Sequence, residues 1–500
     1  MEKQSFTKSA LALILCAVIA FSAAACSEPA GPGVSASDTA HGGSEPVPAA
    51  ETEDPAYIAD AGLISLDYTG NTVNIATTNE KMFEFAAEEQ TGAAMNDAVF
   101  RRNAQVSDDL GVEFAYQEYK QSGGNSAELK NAVAASIKSG DVTIDFFAAP
   151  SYYTTSYITD GYVTDLESIE GSRIDTGKSY WSSLYYNNEL LRGRAYFLIG
   201  DMTPTVIERL EVVFLNDVLA ETYLKNTEKS LHDTVLDGEW TFDKLIELTA
   251  LCGDGSVSGV YGCNLPRNSY SLDGMEAAMK VDLVNITPDG DFEVLVNSQH
   301  NIDLVEKLRK YYYENSSVLS ENNEAYSAFK TGNSLFAVGL LLESSGFRNA
   351  EIDYSIYPLP KWNTDQEDYI STSQDNYSII GIPSNTGDRT GMITAVLEDM
   401  CWRSHETVYM AEYEITYSMK YSDSSAEAQM FDFIYRHVDF SFGSIYSYIL
   451  GEVKNCPRYL LYPTTSTANW NVASPIASSL AGLEKQISMR IKQLNKALDK

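Results

Sequence analysis

Hydrophobic and polar positions follow two different periods along the chain, which predicts a regular succession of strands and helices. Val73–Ala76 is an apolar run typical of a buried strand, and from Ala94 to Asp109 apolar side chains recur at spacings of three and four, as on one face of a helix. The same two patterns follow at Val112–Tyr119 and Ala127–Lys138, and Ile144–Ala148 is a third strand. This order predicts a mainly parallel sheet covered by helices.

A second α/β unit is predicted to begin near Asp201. Thr241 is expected to be the N-cap of a helix that opens at Trp240–Leu245, and a further helix is expected at Ile302–Tyr313. The last hundred residues have a mostly helical pattern. Short strands are expected at Val212–Leu215, Ser334–Val338, Asp353–Pro358 and Ser378–Ile382.

The first residues have the pattern of an export signal. Lys3 and Lys8 precede an apolar run, Ala10–Ala25, that is too short for a membrane span and ends in small residues. We therefore expect residues 1–25 to be a signal peptide. Residues 26–62 are rich in Ser, Gly, Pro and acidic residues, and their low apolar content predicts a flexible linker.

Composition and charge exclude several classes of function. The formal net charge of -35 argues against nucleic-acid or anionic-lipid partners, which need basic patches. The five histidines form no His-Glu-x-x-His motif, and Gly255–Gly259 has Val257 where a nucleophile elbow needs serine. The cysteines have no metal-ligand spacing. We therefore expect no metal, cofactor or catalytic residue, and Cys252 and Cys263 can be either bridged or free.

Several short motifs, in this order, resemble the extracellular solute-binding proteins of ABC importers, specifically the carbohydrate-type family 1. The small residues before Cys26 likewise resemble a bacterial lipobox, in which that cysteine receives the lipid. The remaining motifs span the two predicted units and occur at Met95–Asn103, Gly161–Leu166, Phe214–Asp217, Trp240–Asp243, Ala328–Phe336 and Pro358–Pro360.

The resemblance implies a two-lobed α/β fold of the periplasmic-binding-protein type II class, with a ligand cleft between the lobes and hinge closure around the ligand. The expected N-terminal lobe comprises 63–205 and 334–375, and the expected C-terminal lobe comprises 206–333 and 376–500. The implied function is capture of a small solute, a sugar or oligosaccharide, and its delivery to the permease of an ABC importer. The protein would be a monomer, lipid-anchored through Cys26 on the extracytoplasmic face of the cell membrane.

The candidate ligand contacts combine this resemblance with strand-end positions, because ligands of open α/β sheets bind beyond the carboxyl ends of the strands. Sugars need flat aromatic faces together with carboxylate and amide groups. Residues of these types lie at the predicted strand ends, near the lobe crossing and in loops of the second unit. The candidates are Asn79, Glu80, Tyr152, Tyr153, Asp201, Arg267, Asn268, Tyr270, Asp375 and Trp470.

Other functions remain open at this point. A secreted glycoside hydrolase needs two carboxylates across a bound sugar, and a chain with 70 acidic residues supplies many such pairs. A binding protein for a non-sugar solute such as a peptide, or one that serves a sensor partner, would have the same sequence features.

Overall fold

The computed structural model describes residues 63–266, 269–287, 290–321, 325–412, 425–454 and 476–499. Within them, two larger sheets and a two-stranded ribbon account for the strands. The strands are β1 Asn71–Thr78, β2 Val112–Tyr119, β3 Phe146–Pro150, β4 Glu211–Asn216, β5 Tyr261–Pro266, β6 Val284–Ile286, β7 Phe292–Val294, β8 Val318–Glu321, β9 Ser334–Leu340, β10 Tyr354–Tyr357 and β11 Ser378–Gly381.

Helices cover both sheets. In the first half of the chain they are α1 Ala94–Leu110, α2 Ala127–Ser139, α3 Ser151–Thr154, α4 Ser156–Thr159, α5 Ser183–Glu189, α6 Thr205–Glu208, α7 Asp217–Tyr223, α8 Leu231–Leu236 and α9 Phe242–Ala250. The later ones are α10 Gly255–Ser258, α11 Ser269–Ala278, α12 Gln299–Glu314, α13 Ser327–Lys330, α14 Ser344–Asn349, α15 Thr390–Ser404, α16 Ser425–Arg436, α17 Phe442–Ile445 and α18 Ile476–Leu498.

The first sheet has the order β11-β3-β1-β2. Strands β2 and β3 both run parallel to β1, as predicted, and β11 is antiparallel to β3. Side chains such as Val73 and Phe146 bury one face of this sheet against α1 and α15. Helix α1 ends at Gly111, whose φ of 70° is a left-handed conformation that glycine adopts at little cost.

The second sheet has the order β10-β4-β9-β5-β8. Strands β5, β8 and β9 run parallel, whereas β4 is antiparallel to both of its neighbours. Thr241 caps α9 as predicted, because its Oγ1 accepts a hydrogen bond of 3.2 Å from the backbone N–H of Lys244. The two sheets and their helices form the two-lobed α/β fold predicted from the sequence.

Two strands correct the predicted lobe boundaries. Strand β9 lies within 334–375, which we assigned to the N-terminal lobe, but it pairs with β4 and β5 at the centre of the second sheet. Strand β11 lies within 376–500, which we assigned to the C-terminal lobe, but it pairs with β3 in the first sheet. Every residue of β9 is buried, which suits a strand at the centre of a sheet, and its neighbours there are β4 and β5 of the second sheet.

Two paired segments connect the sheets, and we call them the crossing segments, residues 201–211 and 371–377. The backbone N–H of Glu211 donates to the carbonyl of Thr372 at 3.0 Å, and that of Gln374 donates to the carbonyl of Arg209 at 2.9 Å. The connection by which the chain leaves the first sheet thus lies beside the connection by which it returns. Hinges usually lie in short segments of this kind, where the chain passes from one lobe to the other.

The C-terminal helices pack on both lobes. Helix α16 lies against β10, and α18 lies against α12 and β7 of the second lobe and also against α4 of the first. Helix α17 similarly contacts β6 and α5. One apolar core therefore continues from one face of the first sheet, through these helices, to the second sheet.

Cys252, Cys263 and Cys401 are buried free thiols. Of the two alternatives left open by the sequence, the structure thus has the free form of Cys252 and Cys263. Among the described residues, no helix combines the length and the apolar character that a membrane crossing needs.

Candidate inter-lobe binding site

Polar side chains from the carboxyl ends of β1 and β2 meet the second crossing segment. Gln121, just beyond β2, links them: its backbone N–H donates to Asn79 Oδ1 at 2.7 Å, and its Nε2 donates to Glu80 Oε2 at 2.8 Å. The same Nε2 donates to Asn376 Oδ1 at 2.9 Å. The predicted residues Asn79 and Glu80 therefore lie together at the lobe junction, connected to the crossing segment by Gln121.

Lys81 follows directly and is fully buried. Burial lowers the pKa of its ammonium group to about 8, although the carboxylate of Glu84 opposes that shift. Glu84 is also buried and accepts hydrogen bonds from the backbone N–H and the hydroxyl of Thr205 and from the hydroxyl of Ser378. This carboxylate thereby ties the end of β1 to α6 and β11.

Asp375 lies at the centre of the junction. Its backbone carbonyl accepts from the backbone N–H of Tyr152 at 3.1 Å and from Ser151 Oγ at 2.7 Å. Its side chain accepts from Gln374 Nε2 at 2.7 Å, and Gln374 Oε1 in turn accepts from Arg209 Nη1 at 2.7 Å. Asp375 thus connects the first lobe with both crossing segments.

Tyr152 and Tyr153 occupy α3, directly after β3, and both are half-buried. Their rings are 4.7 Å apart at the centroids in an edge-to-face arrangement. Tyr448 from the C-terminal region completes the group, with its centroid 5.6 Å from Tyr152 and 4.6 Å from Tyr153. The predicted pair is therefore one side of a three-tyrosine cluster at the lobe boundary, which is the kind of surface on which a sugar ring packs.

A second group, which we call the acidic pocket, lines the same junction from the second lobe. It comprises Glu211 at the start of β4, Asp273 on α11, Asp375, and Lys454 beyond α17. Lys454 Nζ lies 3.2 Å from Asp273 Oδ2 and 3.2 Å from Asp375 Oδ2. Its ammonium group thus bridges the second lobe and the crossing segment.

Glu211 is the most deeply buried member of the acidic pocket, with 1 % of its surface exposed. Its Oε2 accepts from the backbone N–H of Gly274 at 2.9 Å. Burial raises its pKa well above the ordinary value, the charges of Asp273 and Asp375 raise it further, and Lys454 and the Gly274 N–H oppose the shift. This carboxyl group therefore keeps its proton to a higher pH than an ordinary glutamate does.

Asp201, another predicted contact, lies elsewhere. Its carboxylate is 2.7 Å from His405 Nδ1 and accepts from the Tyr435 hydroxyl at 3.1 Å. It lines a separate pocket of about 330 Å³ between α16 and the first crossing segment. The structure thus brings together Asn79, Glu80, Tyr152, Tyr153 and Asp375 but separates Asp201 from them.

The side chains of the remaining predicted contacts lie outside the part of the chain that the structure describes. Arg267, Asn268 and Trp470 lie outside the described residues, as does the predicted lipidation site Cys26. Tyr270 lies in α11, and its side chain is likewise outside the description. Pro266, which precedes them, ends β5 beside the end of β8.

Sequence reasoning missed several residues of the junction. Gln121 had a usable signal, because it follows the carboxyl end of a predicted parallel strand just as Asn79 does. Glu211, Asp273 and Lys454 had none, since they come from three distant segments that only the fold brings together. No group of His, Cys, Asp or Glu within the described ranges could hold a metal ion.

Comparisons with known proteins identify the class of fold. No family model and no curated protein matches this sequence. Among solved structures, a cyclo/maltodextrin-binding protein complexed with maltotetraose matches with a TM-score of 0.55 and 12% identity, over 85% of this chain and 98% of that chain. This similarity establishes the shared two-lobed fold.

Two further structures match less well. An ABC substrate-binding protein from Listeria monocytogenes in complex with cycloalternan has a TM-score of 0.49 and 13% identity, over 84% of this chain and 99% of that one. Maltose-bound MalE3 of T. maritima has a TM-score of 0.49 and 11% identity, over 84% and 99%.

Proposed function

We propose that this chain is a solute-binding protein that captures a sugar or oligosaccharide between its lobes and delivers it to the permease of an ABC importer. The observation that carries the proposal is the convergence of aromatic and polar side chains on the junction of two hinged α/β lobes. The structure with the same fold and a TM-score of 0.55 has maltotetraose bound, which supports a saccharide ligand.

The chemistry of the junction suits such a ligand. Tyr152, Tyr153 and Tyr448 offer ring faces and edges for the C–H surface of a sugar, and Glu80, Asn376 and Asp375 offer acceptors and donors for its hydroxyl groups. A ligand that touches both lobes binds the closed form better than the open one, and this difference drives closure. We include Arg267, Asn268 and Tyr270 in the proposed contacts because they follow the carboxyl end of β5.

A thermal melt of the purified chain from Ser27 to Lys500 tests the proposal. We expect one member of a panel of mono- and oligosaccharides to raise the melting temperature, because a ligand that binds only the folded state stabilises it. No product should form on prolonged incubation. Hydrolysis of the sugar would indicate a glycoside hydrolase instead, and a shift with peptides but not with sugars would reassign the ligand class.

We further propose that Cys26 carries a lipid that anchors the protein on the extracytoplasmic face of the membrane, with residues 26–62 as the linker. Several acyl chains on one cysteine would hold the protein firmly. Expressed in a bacterial host fed radioactive palmitate, the natural chain should be labelled and sediment with membranes. Cys26→Ser should abolish labelling and release the chain; continued labelling of that variant would refute the assignment.

A further inference from the structure

We propose that the acidic pocket binds a protonated amine of the ligand, so that the solute is an amino sugar or another small hydroxylated amine rather than a neutral saccharide. The inference rests on the proposed function, since it names the class of ligand for the same junction. Three observations support the inference: an unmatched oxygen of Glu211, the balance of charges around that residue, and the size of the cavity beside it.

The unmatched acceptor is Glu211 Oε1. This atom is buried and has no hydrogen-bond partner among the described residues, although its neighbour Oε2 is held by the Gly274 N–H. A buried carboxyl oxygen without a partner costs free energy whether or not the group is protonated, because it has lost its water without gaining a replacement. Glu211 lines a small cavity, so a polar group that enters this cavity can pair with the unmatched oxygen.

The charges around that cavity are predominantly negative. Asp273 and Asp375 flank Glu211, and Glu276 lies one helical turn beyond Asp273 on α11, where it is also buried. Lys454 is the one cation that lines the cavity within the described chain, and it already bridges Asp273 and Asp375. A second cation would therefore be attracted more strongly than a neutral hydroxyl group, and Glu211 is the carboxyl group left for it.

The space fits one such group. The free volume at the centre of the cavity is about 10 Å³, which is room for a single water-sized group such as an ammonium. A larger pocket of about 250 Å³ shares the lining residue Ala277 with it. The charged and polar side chains of that pocket can hold the rest of a hydroxylated ligand, and they are Asn188, Lys280, Asp282 and Asp439.

The direction of the pH dependence distinguishes an amine from a neutral sugar. Burial and the neighbouring carboxylates hold the pKa of free Glu211 well above its ordinary value, so an ammonium ion must displace the retained proton in order to pair with the carboxylate. Below that raised pKa, where an alkylammonium group stays charged, affinity for an amine should rise with pH and binding should release a proton. A neutral hydroxyl that accepts a hydrogen bond from protonated Glu211 would bind equally well or less well as pH rises.

Titration calorimetry on the chain from Ser27 to Lys500 tests this directly. The probes are glucosamine and its oligosaccharides, paired with the N-acetylated sugars, in which the charge is removed, and with glucose and maltooligosaccharides. We expect the amine form to bind at least roughly tenfold more tightly than its N-acetylated partner, as a charged hydrogen bond would provide. The released proton should make the measured binding enthalpy differ between buffers of different ionisation enthalpy.

Two variants complete the design. Glu211→Gln keeps the size of the side chain and should remove the preference for the amine together with the proton release. Glu113→Gln, an exposed carboxyl on β2, should leave both unchanged. The pH dependence of the natural chain, whose other titratable groups at the cavity are Asp273, Asp375, Tyr377 and Lys454, decides the matter even if Glu211→Gln fails to fold.

The outcomes separate the two proposals. Tight binding of a neutral sugar without preference for the amine overturns this inference and leaves the proposed function intact. Failure of every saccharide and amino sugar to bind overturns both. Preferential binding of the amine that survives Glu211→Gln also overturns the inference, because the charge must then be recognised elsewhere.

Discussion

Glu189 shows how one buried carboxyl group couples the stability of this protein to pH. It lies at the end of α5, fully buried, and its Oε1 accepts from the backbone N–H groups of Tyr196 and Phe197 at 2.8 Å each. Burial raises its pKa to about 8, and these hydrogen bonds offset only part of the shift. The unfolded chain ionises near 4.5, so the folded state keeps a proton that the unfolded state has lost.

The resulting contribution to stability is fully present below about pH 4.5 and is lost as pH rises toward 8. Glu189→Gln removes this loss while keeping an acceptor for the two N–H groups. We expect the variant to gain stability relative to the natural chain as pH rises from 5 to 8, by roughly 1.4 kcal/mol per unit of pKa shift at most. Urea unfolding at both pH values measures this. An equal difference at the two pH values would contradict it.

Asp145 and Arg389 form an ion pair with a specific geometry. Arg389 Nε and Nη2 donate to the two carboxylate oxygens of Asp145 at 2.6 and 2.8 Å, and Asp145 Oδ2 also accepts from the backbone N–H of Asn74 at 2.7 Å. Because Asp145 is fully buried, it depends on both partners. The pair therefore connects β1 and the start of β3 to the segment that leads into α15.

Arg389→Lys should destabilise the chain by about 1–3 kcal/mol, because an ammonium group lacks the planar fork of donors that matches both carboxylate oxygens of Asp145. Arg389→Ala should cost more, since it leaves a buried charge without its counter-ion. Chemical denaturation measures both, with Lys178→Ala as a control for loss of a surface charge. Equal stability of Arg389→Lys and the natural chain would mean that the bidentate geometry contributes nothing.

Sequence patterns were sufficient to predict individual helices and strands, because the residues that determine such an element are neighbours in the sequence. The predicted strands and helices named above are confirmed with small shifts at their ends, as is the cap of α9 at Thr241. Pairing between distant strands was not predictable in this way. A largely apolar run such as β9 suits the centre of either sheet. Its observed neighbours, β4 and β5, are what assign it to the second sheet.

The contribution of the α9 cap to stability can be measured by substitution of Thr241. Thr241→Ala should cost about 1 kcal/mol, because the backbone N–H of Lys244 loses its acceptor at a site that is largely buried. Thr241→Ser keeps the hydroxyl group and should recover most of that loss. Urea unfolding of the three chains measures the difference, and an alanine variant as stable as the serine variant would show that the cap is unimportant.

The whole molecule combines two lobes with a C-terminal helical region that packs on both. That region contributes Tyr448 and Lys454 to the junction, so it belongs to the candidate site as well as to the core. From the sequence, strand-end positions identified Asn79, Glu80, Tyr152 and Tyr153 as neighbours of the junction. Strand-end positions could not identify Lys454 or Glu211. These two residues come close to the junction only because the C-terminal region packs on the second sheet.

Titration calorimetry of the chain from Ser27 to Lys500 with a saccharide panel, amino sugars included, is the decisive test of a saccharide site between the lobes. We predict saturable binding of one sugar per chain. Tyr152→Ala combined with Tyr153→Ala should weaken it at least roughly tenfold, through loss of the aromatic surface. Tyr68→Ala, a partly buried tyrosine before β1 at the opposite end of the first sheet, should leave binding unchanged. Absence of binding to every sugar, or binding that is indifferent to the Tyr152 and Tyr153 changes, would contradict a saccharide site between the lobes.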